Sequence, residues 1–219
     1  MPLELNALET RILGCLLEKE RLTPENYPLS LHSLTAACNQ STNRDPVTAY
    51  DEKTVEEGLN TLREKKLAMV LFGAGSRVQK YRHRLPDHYE LEPREIGLLC
   101  VLLLRGPQTL GELRTRTERF FTFASLEAVR ECLEDLAKEG TALVALLPQQ
   151  PGQKEQRYIQ RLSAQSVLEE WPRETSAVET PASGNLRERV DGLEEQVGEL
   201  HAELQRVREE LAAFRQQFE

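Results

Sequence analysis

Apolar positions along this chain recur first at helical spacing and then at strand spacing, and the whole pattern occurs twice. In the stretch from Leu5 to Leu17, the residues Leu8, Ile12, Cys15 and Leu16 share one stripe of a helix. Asn6 stands three positions before Glu9, the spacing of a capping box with Asn in the Ser/Thr role. Ser30 can open a second helix with Leu31, Leu34 and Ala37 inward, and Asp51 can cap a third with Val55, Leu59 and Leu62 inward. The run "LAMVLFGAGSRVQKYRHRL" then reads as two strands around a Gly-rich turn, the second alternating in Val78, Lys80, Arg82 and Arg84.

The second copy keeps the order. "LNALETRILGCLL" corresponds to "LEPREIGLLCVLL", "SLHSL" to "TLGEL", "EGLNTLREKKL" to "ECLEDLAKEGT" and "QKYRHRL" to "QRYIQRL". Ser125 caps its third helix, Gly140 is expected to end it, and "PQQPGQ" turns its hairpin. Three helices followed by a β-hairpin resembles the winged-helix variety of the helix-turn-helix fold. The expected class is therefore mainly α with small β-hairpins (α+β): two tandem winged-helix domains over 1–86 and 87–163, followed by a C-terminal coiled-coil helix.

Between the repeats and that helix, residues 164–184 are polar and interrupted by Pro172 and Pro181, as a linker is. From 185 to 219 heptads set in. Val190, Val197, Leu204 and Leu211 take one core position; Leu186, Leu193, Leu200, Val207 and Phe214 take the other. Three of the four facing pairs in a parallel dimer, such as Glu203 with Arg208, are opposite in sign. This helix is expected to pair two chains, with folding back onto its own domains as the alternative.

The segments "LNALETRILGCLLEK", "TPENYPLS", "ACNQSTNRDPV", "GAGSRVQKY" and "LLLRGPQTLGELRTR" closely resemble the YceH family of bacterial proteins over residues 3 to about 162. The resemblance implies a tandem winged-helix architecture in a cytoplasmic bacterial protein and leaves its biochemical activity open.

Composition narrows the chemistry. The longest apolar run, "LLCVLLL" at 98–104, is too short to span a bilayer, and the first residues lack the layout of a signal peptide, so no membrane role is expected. Four dispersed cysteines, Cys15, Cys38, Cys100 and Cys132, form no C-x-x-C pair and read as small core residues, so neither metal nor cofactor is expected. The chain shows no P-loop, G-x-S-x-G or H-E-x-x-H motif, and "GAGS" lies between two strands, so the expected protein is not an enzyme. His83 is placed on the outward, basic side of its strand.

The net charge of −8 is uneven. Residues 1–86 hold 12 basic and 11 acidic side chains, 87–163 hold 10 and 12, and 164–219 hold 6 and 13, so the repeats are nearly neutral. Double-stranded DNA is the first partner considered, with contacts from Asn43, Arg44, Lys53, Asn60, Arg63, Arg77, Lys80 and Arg82 in the first copy and Arg114, Arg116, Arg119 and Arg130 in the second. Glu52, Glu56, Glu57 and Glu64 on the same third helix argue against it. The alternative is a winged-helix scaffold for a protein partner.

One stretch resists the repeat. From Leu34 to Leu59 the first copy spends five more positions than Leu113 to Leu133 in the second, and "ACNQSTNRDP" opens the difference. It reads as an elaborated turn in which Cys38 ends the second helix, Asn39 caps it, and Arg44 is available to a partner.

Overall fold

The computed structural model describes residues 4–72, 78–138, 142–149 and 153–163. Arg77, Gly140, the linker and the whole heptad segment lie outside these described residues. The described chain is α+β, with six α-helices and two antiparallel hairpins in the order α1 (Ala7–Leu22), α2 (Leu31–Cys38), α3 (Glu52–Glu64), β1 (Ala68–Leu71), β2 (Lys80–His83), α4 (Pro93–Arg105), α5 (Leu110–Thr117), α6 (Leu126–Ala137), β3 (Val144–Leu146) and β4 (Tyr158–Gln160).

The caps fall where the sequence puts them. The Asn6 side chain accepts from the Glu9 N–H at 2.9 Å while Glu9 accepts from the Asn6 N–H at 2.8 Å, so two otherwise unpaired donors of the first turn are satisfied. The side chains of Ser30, Asp51, Thr109 and Ser125 each accept from the N–H three residues on at the starts of α2, α3, α5 and α6, and at α5 Glu112 completes the reciprocal box. α6 stops at Ala137, before Gly140, and its Leu136 carbonyl is taken by the Leu143 N–H at 2.9 Å.

Tertiary structure repeats as well. In the first copy Leu29 and Tyr81 exchange backbone hydrogen bonds of 3.1 and 2.7 Å, adding a third partner to the β1–β2 hairpin. In the second, Gln108 and Tyr158 do the same at 3.0 and 2.7 Å beside β3–β4. The matched tyrosines Tyr81 and Tyr158 are buried in both copies.

The copies are joined through their first helices. Every residue of α1 from Glu9 to Glu18 is buried, and so is every residue of α4 from Ile96 to Leu104. A helix buried on all sides has neighbours on all sides. α1 packs against α2 and α3 of its own copy and against α4 of the other. Gly14 permits that approach: a Cβ there would stand 2.8 Å from Leu104 Cδ2 and 3.1 Å from Leu103 Cβ. Thus "LLCVLLL" is a core helix, and no described helix is long and apolar enough to cross a membrane. The ends are tied too, since the Leu5 N–H donates to the Leu162 carbonyl at 2.7 Å and the Thr10 and Ser163 hydroxyls meet at 2.7 Å.

Candidate functional site: third-helix faces and hairpins

α3 buries Val55, Gly58, Leu59 and Leu62 and turns Glu52, Lys53, Glu56, Glu57, Asn60, Arg63 and Glu64 to solvent. This split is the 3.6-residue period at work on a helix supported from one side only. Arg63 donates to the Asn60 side chain at 3.0 Å, so two of the expected DNA contacts are engaged with each other. Asp51, at the helix start, is held below the usual carboxylate range by its hydrogen bonds from Thr54. α6 follows the same plan. It buries Val129, Cys132, Leu133 and Leu136 and exposes Glu127, Arg130, Glu131, Glu134 and Lys138, with Arg130 paired to Glu127 at 3.4 Å.

On the first hairpin the alternation is real but shorter than the sequence suggests. Lys80 is half-buried and Arg82 exposed, with Arg82 Nε 3.1 Å from Met69 Sδ, and Arg84 is paired to Asp87. His83 does not face outward. Directly opposite residues of a hairpin share a face, and His83 sits opposite Ala68 on the inner one. It is 4% exposed and lies 2.9 Å from Glu20 through Nε2. That hydrogen bond is the main reason the Glu20 carboxyl lies below its ordinary range.

In the second copy Arg114 and Arg116 are half-buried. Arg116 reaches Glu112 at 3.4 Å, a carboxylate that also receives Arg157 at 2.9 Å. Arg119 lies over the Phe120 ring, 4.6 Å from its centroid, and pairs with Glu18 of α1 at 2.7 Å.

Arg44 departs furthest from expectation. It is absent from the surface: its side chain is fully buried against Glu18, with Nη2–Oε2 at 2.6 Å and Nη1–Oε1 at 3.0 Å. The rest of its guanidinium donates to the Ala37 and Asn43 carbonyls and to Gln40. Burial pushes the Glu18 carboxyl up, but Arg44, Lys19 and Arg119 outweigh it and hold the group below the usual carboxylate range. The five extra residues therefore form a strap. Asn39 binds both backbone groups of Tyr50, Arg11 donates to the Cys38 and Pro46 carbonyls, and the Asp45 N–H donates to the Leu104 carbonyl at the end of α4. Asn43, half-buried, takes the left-handed conformation at φ 58°, which Asn tolerates well.

The sequence carried a sign of this strap. Arg11 and Glu18 interrupt the apolar face of α1 seven residues apart, and two charges on a helix buried all round must meet partners inside.

Comparison with known proteins follows the same outline. A family model described as "Protein of unknown function, DUF480" matches residues 5–153, which takes in most of both repeats. A UPF0502 protein of Geotalea daltonii is 48% identical over 93% of this chain and 89% of its own. One of Pelobacter propionicus is 47% identical over the full length of both, and one of Shewanella piezotolerans is 44% identical over 93% of this chain and 97% of its own.

Proposed function

Because the chain belongs to the DUF480 family of UPF0502 proteins, as its resemblance to YceH implies, we propose from its geometry a non-enzymatic, tandem winged-helix adaptor that docks a protein partner on its third-helix faces. The winged-helix reading is supported by the recurrence in each copy of three helices, a hairpin and a backbone bridge from before the second helix to the hairpin. The heptads of residues 185–219 are proposed to pair two such chains, which would present four docking faces and confer avidity.

One observation carries the choice of partner. The exposed face of α3 holds four carboxylates against Lys53 and Arg63, and that of α6 holds three against Arg130 and Lys138. Meanwhile Arg44, Arg116, Arg119 and Arg130 each engage a carboxylate of their own fold. DNA affinity arises chiefly from cations free to replace the counterions of phosphates. DNA remains the second reading because Lys53, Lys80 and Arg114 make no ion pair among the described residues.

A photo-crosslinking amino acid placed at Asn60 discriminates between the two. Adducts formed in cells that survive nuclease and fall to protease support the adaptor; adducts that fall to nuclease overturn it.

A further inference from the structure

Between the starts of α2 and α3 and the outer end of the first hairpin lies an open groove of about 340 Å³. Its apolar surface comes from Leu31, Val78 and Tyr81, and its rim carries Glu52 and Glu56. Val78 is 55% exposed and adds apolar surface at the mouth of the groove. His32 Nδ1 lies 2.8 Å from Glu52 at the same rim. Of the eight residues lining the groove, two are glutamates and none is Lys or Arg.

From this juxtaposition we infer that the groove receives a basic peptide segment of a protein partner, with one apolar side chain seated on Leu31 and Tyr81 and flanking Lys or Arg against Glu52 and Glu56. This inference rests on the adaptor reading and names its ligand chemistry. Charge complementarity and shape act together at this groove. Carboxylates at the mouth select cations, and exposed apolar surface inside the mouth gains from burial. Neither a nucleic-acid backbone nor an acidic peptide meets a favourable charge there.

The test uses the full chain and a fluorescein-labelled peptide repeating Lys-Leu-Arg, with a counterpart carrying Glu at every basic position. The basic peptide is expected to bind saturably by anisotropy and to shift the Leu31 and Val78 methyl resonances, while the acidic one does neither. The double substitution E52K/E56K, on exposed positions, is expected to weaken binding by about tenfold or more, as reversal of close charge pairs does. The double substitution E90K/E118K, on exposed positions outside both third helices, makes the same change in net charge elsewhere and is expected to leave binding unchanged. No saturable binding, or equal weakening by both reversals, overturns the groove assignment. That failure is separate from failure of the adaptor reading, which the crosslink at Asn60 reports independently of the groove peptide.

Discussion

Glu18 and Arg44, 26 positions apart, form a two-pronged ion pair with no solvent exposure on either side chain. It fastens the strap between α2 and α3 to α1, the helix buried from Glu9 to Glu18, and Arg119 brings the second copy to the same carboxylate. Breaking a buried pair from one side leaves an uncompensated charge. The variant R44M is therefore expected to lose about 3 kcal/mol of unfolding free energy, the low end of the usual range because Arg119 and Lys19 stay close to Glu18. Urea titration measures the loss. The double variant E18Q/R44M should recover part of it, and a double-mutant cycle with no coupling would refute the strap's role.

The same pair sets a pH dependence. A carboxyl held below its unfolded value contributes stability that is complete above the unfolded pKa, about 4.3, and is lost as pH falls through the depressed folded value. Glu20, lowered by His83, contributes with the same sign. The urea midpoint is expected to hold steady from neutral pH down to mildly acidic pH and then to fall. In E18Q that acid limb should be shallower, because Gln does not titrate.

Two glycines make an opposed pair of predictions. Gly14→Ala gains helix propensity of about 1 kcal/mol, yet its methyl group would meet Leu104 and Leu103. Overpacking costs about 1–3 kcal/mol, so no net gain is expected and a loss of up to about 2 kcal/mol is the predicted direction. Gly111→Ala lies on the exposed side of α5 with nothing within 4 Å and should gain about 0.5–1 kcal/mol. Thermal unfolding of the two variants, side by side, checks both signs.

Truncation after Pro181 removes every heptad position from Leu186 onward. If those positions pair two chains, sedimentation equilibrium should show a dimer for the full chain and a monomer for the truncated one. An unchanged mass would return the segment to a role within one chain.

Much of this architecture was legible as pattern. Asn6, Ser30, Asp51 and Ser125 announce four helices by their place before an apolar stripe, and the bridging tyrosines Tyr81 and Tyr158 hold matching places in blocks that align between the copies. What stayed hidden was the packing of one copy on the other. A period assigns a helix one inward face, whereas α1 has partners on every side, so Glu9, Arg11 and Glu18 are interior although they break the stripe. For the same reason Arg44 and His83 look like surface cations in sequence, since their partners, Glu18 and Glu20, come from a distant helix. On α3, a helix supported from one side, the period alone places Val55, Leu59 and Leu62 inward, as they are found.

The proposal of a protein partner in preference to DNA is most directly tested by mobility shift of the full chain on a pool of duplex fragments, at about 50 and 200 mM salt, the interval over which phosphate contacts lose most of their affinity. The adaptor reading predicts no shift at micromolar protein under either condition, and no change on replacing Lys80 and Arg82 with Glu. A shift that is strong at the lower salt, weakens steeply at the higher, and disappears in K80E/R82E would contradict it and restore the hairpin as a DNA-backbone contact.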